Sequence, residues 1–93
     1  MAIQLTTRVV APPEVLVQEA QKESVLLNLS TGRYFGLDEV GTRMWKVCTT
    51  AASLQNAAES LASEYDVDPT QLQQDLQDLV EKLVAHGLLA VGN

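Results

Sequence analysis

The sequence predicts an α+β, winged-helix-like fold in which a three-stranded antiparallel sheet is followed by three helices. Two observations support this class. Short Val- and Leu-rich runs alternate with polar or glycine-containing turns over residues 15–37, and from Asp38 onward apolar residues recur every three or four positions. A chain of 93 residues is long enough for one modest core, so residues 1–93 are expected to form a single domain.

The strands are read from three short runs. "VLVQEA" (Val15–Ala20) and "SVLLNL" (Ser24–Leu29) are separated by the polar turn "QKE" and predict a hairpin. "STG" then fits a three-residue loop, in which Gly32 can take the positive φ that such loops need, and "RYFGL" returns as a third strand. A further strand at "TRVV" is possible before the two prolines.

The first two helices begin at capping residues. Asp38 can cap a helix that runs to about Thr49, and Ser53 can cap a second one that ends near Tyr65. In both segments the apolar residues fall on one face, which indicates helices packed on a core.

The third helix has the strongest signals at its two ends. Asp68 stands at the cap position, Pro69 follows at the first helical position, and Gly87 supplies the stop. Six apolar residues between them make one broad face: Leu72, Leu76, Leu79, Val80, Leu83 and Val84.

Composition indicates which classes of protein the chain can belong to. The hydrophobic fraction of 46% is that of a soluble globular protein, and the longest apolar run is far shorter than the ~18 residues of a membrane span. The N-terminal segment lacks the pattern of a secretory signal. A single cysteine leaves no intramolecular disulfide, so we expect a cytoplasmic protein without membrane partners.

The charge is unevenly distributed. Acids and bases balance over residues 1–58, whereas residues 59–93 carry seven acids and Lys82 alone, so the net charge of −6 lies in the C-terminal third. Such a surface repels phosphate and favours a basic or neutral partner.

The candidates for catalysis have structural explanations. His86 lies in the last turn of the third helix, which favours a cap-like role, and Cys48 lies on an apolar helix face, as a small buried residue would. "DVDPTQ" (Asp66–Gln71) lacks the glycine of a calcium loop and is better explained as a helix start. We therefore expect no enzyme activity, no metal and no cofactor.

The stretch "VLLNLSTGRYFGLDEVGTRMW", with the later "LASEYDVDPTQLQQDLQDLVEKLVAHGLL", resembles the PqqD-like family of peptide-recognition domains. These domains are also called recognition elements of ribosomally synthesised and post-translationally modified peptides. The resemblance covers Val15 to Leu89 and depends on the glycine turn into paired aromatics, the Gly-Leu-Asp start of the first helix, Gly41, Trp45 and the closing "GLL". The version here is most similar to the free-standing proteins of lasso-peptide pathways.

The resemblance implies non-catalytic binding of the leader segment of a precursor peptide, which is then delivered to a modifying enzyme or a leader peptidase. In this family the leader adds as a strand to the edge of the third strand, in a cleft shared with the third helix. The corresponding residues here are Arg33, Tyr34, Phe35, Gly36 and Leu37 of the strand and the helix that begins at Pro69, with Leu72 and Leu79 on its apolar face. Beside Leu79, the charged residues Asp75, Asp78 and Lys82 lie on one rim of that face, where they either flank the cleft or form an ordinary solvated face. Tyr34 and Phe35 must point to opposite faces, and either could border the cleft.

The sequence is also compatible with two other functions. Winged-helix domains often bind nucleic acid through a helix placed like the third one, but that helix carries four acids and one lysine between Asp68 and Gly87, and DNA affinity comes mostly from Lys and Arg. The chain could also be a structural subunit of an enzyme complex.

Overall fold

The computed structural model describes residues 4–92, which form five strands and three helices. In chain order these are β1 (Arg8–Val10), β2 (Val15–Ala20), β3 (Glu23–Asn28), β4 (Tyr34–Leu37), α1 (Glu39–Thr50), α2 (Leu54–Glu64), α3 (Pro69–Ala85) and β5 (Ala90–Gly92). The α+β class and the predicted order, an antiparallel three-stranded meander followed by three helices, are confirmed. The winged-helix likeness stays a prediction.

The meander has the order β2-β3-β4, with β2 and β4 at its two edges. The first hairpin is tighter than "QKE" predicts, because Ala20 already pairs with Glu23 and only Gln21 and Lys22 form the turn. Both turn residues have a left-handed backbone, with φ of 54° and 73°. Two-residue turns of this kind match the twist of the strands, which explains why the chain accepts this conformation without glycine.

The second hairpin loop is longer than the predicted "STG". The backbone nitrogen of Asn28 donates to the carbonyl of Arg33 across 2.8 Å, so four residues, Leu29 to Gly32, lie between the closing pair. Gly32 has the expected positive φ, 75°. The strand predicted from Arg33 therefore begins one residue later, at Tyr34.

The helices begin and end close to the predicted residues. Asp38 accepts a hydrogen bond from the Gly41 nitrogen at 2.7 Å, and Ser53 and Asp68 cap α2 and α3 in the same way. Gly41 has no side chain because a Cβ there would lie 3.2 Å from both Leu37 and the Asp38 carboxylate. This close approach brings the start of α1 directly onto the end of β4.

One apolar core joins the inner face of the meander to the three helices. Its fully buried side chains include Leu26 of β3, Leu54 and Leu61 of α2, and Leu76, Val80 and Leu83 of α3. Ser24 and Thr42 share a buried hydrogen bond of 2.8 Å that joins β3 to α1. The outer face of the meander carries Leu16, Val25 and Tyr34, each of them exposed.

The possible N-terminal strand at "TRVV" is present as β1, and its partner was not predicted. β1 pairs antiparallel with β5, in the register Arg8 to Gly92, Val9 to Val91 and Val10 to Ala90. Val9 is fully buried, so this small second sheet brings the two ends of the described chain together over the core. Within residues 4–92, no helix is long and apolar enough to cross a membrane.

Candidate functional site

The free edge of β4 presents the backbone groups of two residues. Hydrogen-bonded pairs alternate along an antiparallel ladder, and the Asn28–Arg33 pair is bonded, so the Phe35 and Leu37 backbones bond to β3. The N–H and C=O groups of Tyr34 and Gly36 consequently point away from the sheet. The edge therefore offers two donors and two acceptors to an incoming strand.

Phe35 is the aromatic residue that lies on the helix side of β4. It pairs with buried Leu26 and is itself half-buried against the core, whereas Tyr34 is 72% exposed on the outer face. The Phe35 ring contacts the His86 ring edge to face, with 5.8 Å between the ring centroids and an angle of 61°. This contact places the C-terminal end of α3 beside β4 and shows that Phe35, not Tyr34, lies on the helix side of the strand.

The predicted residues of α3 lie on one stripe of the helix, at intervals of three or four. Leu72 is buried and Leu79 is half-buried against the core, while Asp75, Asp78 and Lys82 are exposed. Asp75 accepts a hydrogen bond from the Gln71 amide at 2.8 Å, and Asp78 accepts one from Gln74 at 2.9 Å. These bonds hold both carboxylates along the helix, so the rim of the stripe is acidic with one lysine at its end.

An apolar pocket of about 330 Å³ lies where α1 and α3 begin. Its walls include Val40 and Met44 of α1 and Leu72 of α3, and Asp75 lies among its lining residues. Only two residues separate Val40 from the end of β4, so the pocket lies at one end of the strand, and the Phe35–His86 contact lies towards the other. We call the surface between these two ends, from the edge of β4 to the α3 stripe, the β4–α3 groove.

Two of the predicted strand residues lie elsewhere. The Leu37 side chain is only 5% exposed and its backbone bonds to β3, so it supports the edge from behind. Arg33 is exposed in the loop that precedes β4, where its nitrogen donates to Thr31 Oγ1 at 3.2 Å. The structure thus brings Tyr34, Phe35 and Gly36 to the groove and its edge, and leaves Arg33 at the margin.

Sequence reasoning did not single out Asn28, which links the two sides of the groove. Its side-chain nitrogen donates to the Gly87 carbonyl at 2.7 Å, and its side-chain oxygen accepts from the nitrogens of Ser30 and Thr31. The available signal was a polar residue alternating with leucines at the end of a strand. Because Asn28 is buried, these bonds fix the hairpin loop against the end of α3.

The catalytic candidates have structural roles. Cys48 is buried, and burial raises the pKa of its thiol to about 12, so the thiolate is scarce at neutral pH. His86 is the C-terminal cap of α3, and its Nδ1 lies 2.7 Å from the Lys82 carbonyl oxygen, as the cap-like role predicts. Among residues 4–92, no group of three or more His, Cys, Asp or Glu side chains is arranged to hold a metal ion.

Comparison with known proteins gives one family and two solved structures. The family model described as coenzyme PQQ synthesis protein D (PqqD) matches residues 23–89. The structure described as TbiB1 in complex with the TbiA(beta) leader peptide is 34% identical in sequence. It superposes with a TM-score of 0.79 over 86% of this chain and 93% of that one.

The second structure is a lasso peptide synthetase B1 complexed with the leader peptide. It is 26% identical and also has a TM-score of 0.79, over 89% of this chain and 98% of its own. No curated protein matches the chain closely enough to count as a relative.

Proposed function

Because the chain belongs to the PqqD family, we propose that it binds the leader segment of a ribosomally synthesised precursor peptide and delivers it to a partner enzyme. The observation that carries this proposal is the unpaired edge of β4 beside α3, with the backbone groups of Tyr34 and Gly36 directed outward. Both solved structures that match the chain are complexes with leader peptides, which supports the same function here.

Strand addition explains how such an edge would bind a peptide. An extended leader that pairs with β4 would form main-chain hydrogen bonds to Tyr34 and Gly36, and these bonds give affinity for almost any sequence. Selectivity would come from alternate leader side chains that enter the groove. The apolar pocket beside Leu72 would accept an apolar leader side chain, and Asp75 and Asp78 would favour basic leader residues near the rim.

The domain would leave chemistry to its partner. A nucleophile needs an adjacent base or a lowered pKa, and Cys48 has instead a raised pKa in a buried position. We therefore propose a non-catalytic role beside a modifying enzyme or a leader peptidase. The likeness to lasso peptide synthetase B1 supports a lasso-peptide pathway, and we propose a leader peptidase as the partner and the cytoplasm as the place of action.

Calorimetric titration with synthetic peptides tests this proposal. The leader segment of the precursor encoded beside this gene should bind with micromolar or better affinity, whereas the core segment of the same precursor should not bind. Absence of leader binding would favour a purely structural subunit. Incubation of the protein alone with the whole precursor should leave it intact by mass spectrometry, and cleavage or modification without a second enzyme would overturn the non-catalytic role.

Nucleic-acid binding is the competing function, and charge opposes it. The exposed side of α3 carries Asp75 and Asp78, which would repel phosphates if α3 entered a groove of DNA. In a fluorescence-anisotropy titration we expect no appreciable binding of duplex DNA at physiological salt. Micromolar affinity for unrelated sequences, with a steep salt dependence, would restore the regulator interpretation.

A further inference from the structure

Gly36 has no structural reason, within the described chain, to be glycine. A Cβ built at Gly36 would meet no heavy atom within 4 Å, and its backbone is not left-handed, unlike that of Gly32 and Gly87. Glycine inside a strand is unfavourable, because it loses more backbone freedom on folding and packs no side chain. Such a glycine often marks a place where a ligand or another backbone approaches closely.

The space left by Gly36 opens on the outer face of the meander. Gly36 pairs with Val25, and Val25 in turn pairs with Gln18 of β2, so the three residues form one row across the sheet. A shallow hollow of about 420 Å³ lies over this row, and Gly36 and Val25 are among its lining residues. Val25 is 46% exposed although it lies on the central strand, so its side chain is free to contact a bound residue.

We propose that Gly36 is a specificity-determining residue that makes room for a large apolar side chain of the leader, preferably an aromatic one, on the outer face of the sheet. The inference rests on the proposed strand addition at β4. A leader residue paired with Gly36 directs its side chain to the same face as Gly36, because paired residues share a face of the sheet. The leader would thus be selected on both faces, by the groove on one and by the Gly36 hollow on the other.

The geometry favours an aromatic side chain. Neighbouring strands are ~4.8 Å apart, so the leader strand would lie roughly 10 Å from β3. A long flat ring can cross the bare backbone of Gly36 and contact Val25, whereas a short side chain cannot. Aromatic side chains cover glycines of neighbouring strands in this way in other sheets. Exposed Tyr34, the next residue of β4 on the same face, would flank the ring.

Substitution of Gly36 separates this role from a structural one. Gly36→Val should keep the fold, since the new side chain meets open space and valine favours strands, and it should weaken binding of the synthetic leader about tenfold by filling the place of the ring. Gly36→Ala should fold at least as readily and give a smaller loss. Circular dichroism and thermal unfolding would check both variants, and Leu16→Val, an exposed position on the same face of the sheet but outside the hollow, is the matched control.

An alanine scan of the leader completes the test as a double-mutant cycle. With the parent protein, one large apolar leader residue facing outward should cost about tenfold in affinity when changed to alanine. With Gly36→Val, the same change should cost little. Equal binding of the leader by parent and Gly36→Val would overturn the inference and leave the proposed function intact, as would a loss shared equally by every leader variant. Absence of leader binding by the parent protein would instead overturn the proposed function.

Discussion

At the scale of single residues, Asn28 is a buried polar side chain whose hydrogen bonds are all to the backbone. Its three side-chain hydrogen bonds join the hairpin loop to Gly87, where α3 ends. Gly87 has a φ of 72°, and a Cβ there would lie 3.3 Å from the Asn28 side-chain nitrogen. The close fit explains why an asparagine and a glycine occur together at this junction, and it makes Asn28 a sensitive site.

Asn28→Ala should lower the free energy of unfolding by about 2 kcal/mol, because it removes three hydrogen bonds between a buried side chain and the backbone of the loop and of Gly87. Urea denaturation followed by circular dichroism measures this loss. Asn56→Ala, on the exposed side of α2, is the control and should be neutral or slightly stabilising, since alanine is the better helix former. Equal midpoints for the two variants would contradict the role of Asn28.

The acidic rim of α3 gives the second prediction. Asp75→Lys and Asp78→Lys should each weaken leader binding several-fold by slowing association, and should leave the fold intact, because exposed charges contribute only ~0–1 kcal/mol to stability. The reversal Glu59→Lys, on the exposed side of α2, changes the net charge equally and should have little effect. If all three variants bind the leader like the parent, the two aspartates belong to an ordinary solvated face.

At the scale of elements, successive residues of β4 alternate between two roles, hydrogen bonding to β3 and facing the open edge of the sheet. The Phe35 backbone bonds to β3, and the Tyr34 and Gly36 backbones face the open edge. Proline removes one N–H and is tolerated in a strand only where that N–H faces the free edge. Single proline substitutions at the three positions therefore test the two functions separately.

Phe35→Pro should unfold or strongly destabilise the domain, because it removes a ladder bond to β3 and a half-buried ring. Tyr34→Pro and Gly36→Pro should stay folded but bind the leader at least three- to tenfold more weakly, as expected for one lost main-chain bond. Thermal unfolding and leader titration measure the two effects. Folded Tyr34 and Gly36 variants that bind like the parent would show that β4 is not the docking edge.

The sequence could predict the alternation in β4 but not its direction. A period of two requires Phe35 to behave oppositely to Tyr34 and Gly36. Which of them faces outward depends on the closing pair of the loop, and "STG" suggested a three-residue loop where the structure closes across Asn28 and Arg33. A one-residue change in loop length shifts the pairing of β4 with β3 by one residue and exchanges the two faces of the strand. The orientation of Phe35 therefore had to come from the structure.

The helices were easier to predict than the small second sheet. Capping residues act locally, so Asp38, Ser53 and Asp68 mark the helix starts without knowledge of the rest of the fold. β5 has only three residues, and its strand character depends on pairing with β1 from the other end of the chain. Such non-local pairing leaves no periodic signal in a short segment.

The groove was predicted through family resemblance more than through pattern. Leu72 and Asp75 line the apolar pocket, and the assignment of Leu79, Asp78 and Lys82 to the binding site stays a prediction. The contributions of Val40 and Met44 were missed, because their helical spacing only indicates a core-facing position. His86 was correctly interpreted as a cap, but its contact with Phe35 depends on the packing of α3 beside β4.

At the scale of the whole molecule, the meander has two open edges, and the leader is proposed to bind to only one of them. β2 is the other edge. The hydrogen bond of 2.9 Å from the Leu29 nitrogen to the Glu14 carbonyl determines which residues of β2 bond to β3 and which face outward. By this pattern the Val17 and Glu19 N–H groups point outward on the β2 side. The two edges therefore provide an internal comparison within one molecule.

Residue-resolved amide hydrogen exchange, measured by NMR on the free and leader-bound protein, tests strand addition at β4 most directly. In the free protein the amides of Tyr34 and Gly36 should exchange fast, and those of Phe35 and Leu37 should be protected by β3. Saturation with leader should protect Tyr34 and Gly36 and leave Val17 and Glu19 unchanged. Protection that appears at the β2 edge instead, or leader binding that leaves the Tyr34 and Gly36 amides in fast exchange, would contradict the account.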